Sequence, residues 1–504
     1  MLPSSYVLPS VQAINVFSYG AKGDGTTPDA TAIQNAAAAL TTGQGLFFPA
    51  TGSSYNVGPT TIDLPAGCPV YGVAGQAALA PSRRTLVAQS GLAVCGDGNG
   101  NLSATQGHVF DAGGGRLVYQ QPGGTPGSPI SVYAGPALPG RGANEYLVLM
   151  ERLLTTQWGI STGWSDDGLT TIEVSDFIAS TTVTTENFFD PTAVILPNGH
   201  ILVAATHVGP ATSNPGSIQI YLSTDGGRQW TLQNEISPPS PHKFSDAYMI
   251  RLRMPNTGAE NRVVLCFMDF FTDGSSDTMY RIAYSDTEFA TYTLQTNPAT
   301  PATGLSSSAG RVSDEGRACI YEIADGPVGV PASPGNIGII YTRRTSGVPA
   351  QIWGLQLNNV GQIIDPTKAT MLATVPEQAG TGQAPYNVQV LVGCAPIVQR
   401  LSTGEYGLYI TASTFDLQQP SDPNHTTGVL RFMSCPPSAQ GDPTKFVQNR
   451  LVSVTTTNGG GGYGRVQPLP KPNGDIELLM IGSPQTGTQI YTASVFSVTH
   501  YGAA

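Results

Sequence analysis

The sequence predicts a mainly-β chain: a six-bladed β-propeller over residues 106–504, preceded by a small α+β module over residues 1–105. Three observations predict it. The 504 residues include 60 Gly and 40 Pro, and only 11% are charged, against about 25% in an average globular protein. A 40% hydrophobic content, with 20 Tyr and 16 Phe, is too apolar for a disordered chain. After residue 105, six segments repeat one pattern: an apolar strand, a turn often built on Asn-Gly, and a second apolar strand.

The first elements are local. Ile14 and Val16 suggest a short strand, and Gly20, Gly23 and Gly25 in GAKGDG suit tight turns. Thr27 or Asp29 can cap the helix that follows, Pro28 fits its start, and residues 30–40 form it. Ile33, Ala36, Ala37 and Leu40 give that helix one apolar stripe. GLFFPA (45–50) and TIDLPAG (61–67) read as strands. The glycine cluster lacks the spacing of either phosphate-binding loop, so a nucleotide site is excluded.

INVFSYGAKGDGTTPDATAIQNAAAAL, GLFFPA and YNV together resemble the N-terminal signature of the pectate-lyase-like family, over about residues 12–75. That family is widespread in bacteriophage tailspikes and in secreted polysaccharide-degrading enzymes. The resemblance implies a structural module without catalytic residues. It usually opens a right-handed parallel β-helix, but no repeat of roughly 20 residues follows here, and the chain changes character after residue 100.

The six repeats begin at GHVFDAGGGRLVYQQ (107–121), FFDPTAVILPNGHILVAATHV (188–208) and FSDAYMIRLRMPNTGAENRVVLCFMDF (244–270). They continue at GRACIYEIADGPVGVPASPGNIGIIYTRRT (316–345), CAPIVQRLSTGEYGLYITAS (394–413) and YGRVQPLPKPNGDIELLMIGS (463–483). Each is followed by a further strand pair, which makes a four-stranded blade.

In the second blade the outer pair carries YLSTDGGRQW. It resembles the Asp-box, Ser-x-Asp-x-Gly-x-x-Trp, of sialidases and related propellers, matched at Ser223, Asp225, Gly227 and Trp230. The resemblance implies a structural staple at the outer rim: Ser and Asp tie down backbone N–H groups of a hairpin turn. Degenerate copies keep Ser165, Asp167 and Gly168, with Ile172 at the Trp position, and Ser285 with Tyr292.

Chemistry in such a ring is expected at a mouth of the central channel. Asp190 and Asp246, which enter the second and third blades, are candidate acid/base residues, and either can instead be a turn cap. Glu315 and Tyr463 complete the candidate catalytic set. Arg251, Arg311, Arg317, Arg400 and Arg465 are candidate ligand-binding residues, because arginines anchor carboxylates bidentately. A glycosidase needs two protonatable groups flanking the bond. The sialidase resemblance also implies an arginine–isoleucine–proline motif on the first blade, which this sequence lacks.

The net charge of −11 argues against nucleic acid as a partner. Six histidines without metal spacing, and six cysteines without a CxxC, predict no metal and no cofactor. Cys266, Cys394 and Cys435 read as buried thiols, and a Cys68–Cys95 disulfide stays open. No signal peptide is visible and no apolar run is long enough to insert into a membrane.

These features lead to an expected bacteriophage tail protein, a tailspike or tail fibre located in the virion. By resemblance it would be a homotrimer, joined to other tail proteins, recognising and cleaving or only binding host surface polysaccharide or lipopolysaccharide. The alternatives are a secreted glycan-active enzyme of exo-sialidase-like or polysaccharide lyase type, and a structural spacer.

Overall fold

The computed structural model describes residues 13–49, 145–301, 317–375, 388–416, 427–452, 463–482 and 494–501, less short loop segments within them, and short strands between 54 and 134. The chain divides into two units. The smaller comprises Met1–Gly115, Asn449–Thr457 and Val498–Ala504; the larger comprises Arg116–Gln448 and Asn458–Ser497.

In the smaller unit the helix spans Ala30–Ala38 and buries Ile33, Ala36 and Ala37, three of its predicted stripe. Asp29 sits at its N-cap but does not cap with its side chain. Its carboxylate instead accepts the Lys22 and Gly23 N–H groups, at 2.6 and 3.2 Å, closing the glycine loop. Asp24 accepts from the hydroxyls and amides of Thr27 and Thr26, and the Thr27 hydroxyl leads in holding its carboxyl far below the usual range. Ala13–Asn15, Gly45–Phe48 and Val70–Gly72 form a parallel three-stranded sheet. The predicted strand at 61–67 lies outside the described residues.

The larger unit is a succession of antiparallel sheets, each a meander of strands consecutive in the chain. The first holds Val132–Ala134, Tyr146–Leu153, Trp158–Ser165 and Glu173–Ala179; the second holds Asn187–Ile195, Ile201–Val208, Ser217–Ser223 and Thr231–Ile236. The third holds His242–Arg251, Val263–Phe271, Asp277–Ser285 and Thr293–Leu294, with Val312–Ser313 as a fifth strand. Ala318–Glu322, Ile337–Arg343, Ala350–Leu357 and Thr370–Val375 form the fourth. Val388–Arg400, Tyr406–Asp416, Thr427–Cys435 and Val447–Val452 form the fifth.

Tyr463–Pro470 and Ile476–Gly482 begin the last sheet, which reaches Ser494–Tyr501. The first half of that strand pairs with Arg116–Gln120. In the smaller unit its end pairs His500 with Phe110 and Tyr501 with Val109.

The architecture is mainly β and propeller-like, and it corrects the expected fold in two ways. The regular four-stranded blade recurs four times, not six: the third sheet has five strands and the last has six. Nor is a distinct pectate-lyase-like module found. The first 115 residues share one unit with segments from near the C-terminus, and their parallel pairings among the described residues are only three residues long. The physical reason is common to both. Local patterning marks hairpins, but pairing between residues 109–120 and 494–501 is non-local, and no periodicity encodes it.

Both faces of these sheets are covered, which explains the continuous apolar runs such as ILVAA. Ile201, Val203 and Ala205 face Leu147, Leu149 and Ile160 of the first sheet. Leu202 and Ala204, one step along, face Phe244, Met249 and Leu265 of the third. Val264, Cys266 and Ile282 then meet Ile320, Ile339 and Leu355 of the fourth. Full burial of each such side chain contributes about 1.5–3 kcal/mol.

Candidate active site

The site begins with two kinks in the backbone. In the second sheet, Phe189 pairs with Thr206 and Thr192 with Ala204, so one extra residue is inserted at Asp190-Pro191. Pro191 has no N–H to give to the ladder, which favours such a break. The third sheet repeats the insertion at Asp246-Ala247, between the pairs Ser245–Met268 and Tyr248–Cys266. Both aspartates are left-handed, with φ of 54° and 53°. Non-glycine residues rarely adopt this conformation, and such strain concentrates at functional sites.

Arg317 stands directly before the first strand of the fourth sheet. Its Nη2 lies 2.5 Å from Asp190 Oδ1 and its Nε lies 2.7 Å from Asp246 Oδ1. One guanidinium therefore spans carboxylates from two other sheets, using the planar fork that lysine lacks. Asp246 Oδ2 also accepts the Ser245 hydroxyl at 2.9 Å. Glu151, on the second strand of the first sheet and only 3% exposed, accepts the Asp190 N–H at 2.5 Å. Burial works against the charge on Arg317, but Asp190, Asp246 and Glu151 outweigh it and hold the guanidinium above its ordinary pKa. The side chains of Arg317, Asp190 and Asp246 are 23%, 10% and 15% exposed, so the cluster is mostly buried with a small share facing solvent.

A second polar cluster lies on the third sheet. The buried Asp269 carboxylate meets His242 Nδ1 at 2.7 Å and Arg281 Nε at 3.0 Å. On the second sheet, Gln219 links His207 to Glu235, which also accepts the Ser217 hydroxyl. These groups sit toward the end of the sheets that carries Asn187 and Val208, as Asp190 does.

The Asp-box residues occupy the other end, where Ser223 pairs with Ile201. Ser223 Oγ accepts the Gly227 N–H at 2.8 Å and donates to Asp225 Oδ1 at 2.8 Å. Asp225 Oδ1 also takes the Arg228 and Gln229 N–H groups, and with the Gln229 amide first among them these bonds hold its carboxyl below the usual range. Trp230 Nε1 donates to the Gly227 carbonyl at 3.2 Å. Gly227, at φ 89°, packs against Trp164 of the first sheet. The degenerate turns use the same bond: Ser165 Oγ accepts from Leu169 and Ser285 Oγ from Phe289, both residues left-handed.

Of the predicted site residues, the structure brings together Asp190, Asp246 and Arg317. Arg251 lies elsewhere, half-buried beside Arg253; burial and then that arginine lower its pKa, and Glu322 opposes them. Arg400 is exposed, with its guanidinium 6.0 Å over the Tyr406 ring. Tyr463 and Arg465 lie on the strand Tyr463–Pro470, with side chains outside the description; Arg311 and Glu315 lie outside the described residues. Glu151 was not predicted. A glutamate inside YLVLMERL, flanked by buried Leu149 and Met150, is the signal that marks it.

Cys266, Cys319 and Cys435 are buried free thiols. Cys68, Cys95 and the Cys394 side chain lie outside the described residues. Among the described residues, no helix is long and apolar enough to cross a membrane.

No protein-family model matches the chain, and no curated protein matches it. Solved structures do resemble it. A Dyadobacter fermentans protein of unknown function shares 13% identity over 78% of this chain and 99% of its own, with a TM-score of 0.49. An α-L-arabinofuranosidase of Fusarium graminearum shares 11% over 77% and 97%, at 0.47. A Hadza microbial sialidase shares 13% over 72% and 65%, at 0.45. At these identities and scores the likeness transfers neither an activity nor a residue's role.

None of these is a phage component, and the distinct N-terminal module on which the tail-protein expectation stood is not found. The expected tailspike or tail fibre, its virion location and the homotrimer inferred from it are corrected accordingly.

Proposed function

We propose that this protein is a glycan-active hydrolase whose reacting groups are Asp190 and Asp246, and whose substrate is an uncharged glycan. One observation carries the reading: two strained aspartates, at matching insertions in neighbouring sheets, meet on a single arginine. Glycoside hydrolysis needs two carboxyl groups about 5–9.5 Å apart across the scissile bond. Arg317 fixes the pair, and bulges next to active sites commonly re-aim side chains in this way.

Charge supports the choice of substrate. Three carboxylates surround one arginine, and the chain as a whole carries −11. A sugar carboxylate would meet repulsion, and Arg317 is already engaged through Nε and Nη2. Tyr463 and Arg465 belong to this proposal as sugar contacts: the last sheet also shifts register between Tyr463 and Val466, the same kind of break that presents the two aspartates.

The test is release of reducing ends from a panel of neutral polysaccharides, with sialylated and uronate-containing glycans as the opposing arm. Asp190→Asn and Asp246→Asn should each lower turnover by about 10²–10⁴-fold with an unchanged circular dichroism spectrum. Turnover only on the anionic substrates, or full turnover by both variants, would defeat the proposal.

A further inference from the structure

The insertions that present Asp190 and Asp246 each take a backbone N–H out of the sheet ladder. A donor freed in this way must find another acceptor. In both cases the acceptor comes from the preceding sheet. The Asp190 N–H goes to Glu151 Oε1 at 2.5 Å and the Asp246 N–H to Thr206 Oγ1 at 3.1 Å.

Register shows that Glu151 and Thr206 hold the same structural position. Tyr146 pairs with Ser165 and Ile201 with Ser223, the serines of two related box turns. Glu151 follows Tyr146 by five residues, and Thr206 follows Ile201 by five. The fourth sheet has a threonine at the matching place: Ile337 pairs with Leu357, and Thr342 lies five residues on. Its hydroxyl donates to the carbonyl of Arg317 at 3.4 Å. That contact lies within one sheet, and the third sheet carries Met268 at the matching position, so the cross-sheet relation is made by Glu151 and Thr206.

We infer that Glu151 and Thr206 are positioning residues, which hold the left-handed aspartates so that both carboxylates reach Arg317. The inference rests on the proposed reading of the cluster as the reacting site. A buried threonine, 2% exposed, that merely filled space would serve equally well as valine, its near isostere. Here the hydroxyl accepts the one amide whose conformation aims Asp246. Valine cannot replace it, whereas serine keeps the acceptor and loses only a methyl group.

The experiment compares Thr206→Val, Thr206→Ala and Thr206→Ser by crystal structure and by turnover on the neutral glycan that the wild type cleaves. Val and Ala should move Asp246 so that its distance to Arg317 Nε, now 2.7 Å, exceeds ion-pair range. They should lower kcat at least tenfold with KM within twofold, and Ser should restore both. The alanine variant introduces no bulk, so it serves if the valine variant does not fold. An unchanged Asp246–Arg317 contact in Val or Ala, or a serine variant as displaced as alanine, overturns the inference. If the wild type cleaves no glycan, the proposed function fails, and the crystallographic arm still decides whether Thr206 positions Asp246.

Discussion

Replacing Arg317 tests the heart of the cluster. Arg317→Met keeps the stem and removes the cation, leaving Asp190, Asp246 and Glu151 facing one another. Deleting one partner of a buried pair costs about 3–5 kcal/mol. The Arg317 and Asp246 side chains are 23% and 15% exposed, and solvent screening brings the expected loss to about 2–4 kcal/mol at neutral pH. Its pH dependence has a definite sign. Arg317 has a raised folded-state pKa, so its own contribution is complete below the value for unfolded arginine and is lost only in strong alkali. The variation near neutrality therefore comes from the carboxylates of the variant. With no cation between them, one takes up a proton more readily folded than unfolded. The folded variant then binds more protons, and its deficit shrinks as pH falls from about 7 to about 4.5. Urea denaturation followed by tryptophan fluorescence measures this for wild type, Arg317→Met and Arg317→Lys. Lysine restores charge but not the two separate N–H contacts, and should fall between the other two. A methionine variant as stable as wild type at pH 7, or a deficit that grows toward acid, would refute the reasoning.

Three other outcomes follow from the packing. Ser223→Ala strands the Gly227 N–H, whose acceptor lies at 2.8 Å, and should cost about 1–3 kcal/mol in urea denaturation; a neutral result would mean the box is not a staple. Gly354→Ala would place a Cβ 1.9 Å from the Pro443 carbonyl oxygen. A loss of at least about 2 kcal/mol is expected, and normal stability would show that this approach of backbone to backbone is not required. Cys266 is 1% exposed, and burial, then the neighbouring Cys319, push its thiol well above the ordinary value. Mass spectrometry should find Cys266 unalkylated by iodoacetamide at pH 8 until urea unfolds the chain; rapid native labelling would contradict the burial.

Much of the fold was legible because its signals are local. Alternating and continuous apolar runs located the strands of the second to fifth sheets, and the full box at Ser223 with its degenerate copies at Ser165 and Ser285 located the outer turns of the first three. The number of like sheets was not legible. The third sheet gains Val312–Ser313 from a segment with no strand pattern, and the last draws Arg116–Gln120 across most of the chain. The helix stripe was plain, but the role of Asp29 was not: capping and loop closure ask for the same residue, and only geometry separates them.

The site divides along the same line. FFDPTAV and FSDAYM pointed to Asp190 and Asp246 because each puts an acid at the head of an apolar strand, yet the same words describe turn caps. The inserted residue, which no local pattern announces, makes each strand-entry aspartate left-handed, and both carboxylates meet Arg317. Arg317, expected to grip a ligand, is instead gripped by two of the protein's own carboxylates. Glu151 and Thr206 escaped notice because the sixth position of a sheet's second strand carries no motif. Their meaning comes only from the amide that a neighbouring sheet presents, at 2.5 and 3.1 Å. One recurring position thus serves twice: in the first and second sheets it supplies the carboxylate or hydroxyl that accepts the inserted aspartate's N–H in the next sheet. This predicts that exchanging the two acceptors, by Glu151→Thr together with Thr206→Glu, preserves less than a tenth of turnover. Each amide would still meet an oxygen, but charge would move from beside Asp190 to beside Asp246; full turnover would show that acceptor identity does not matter.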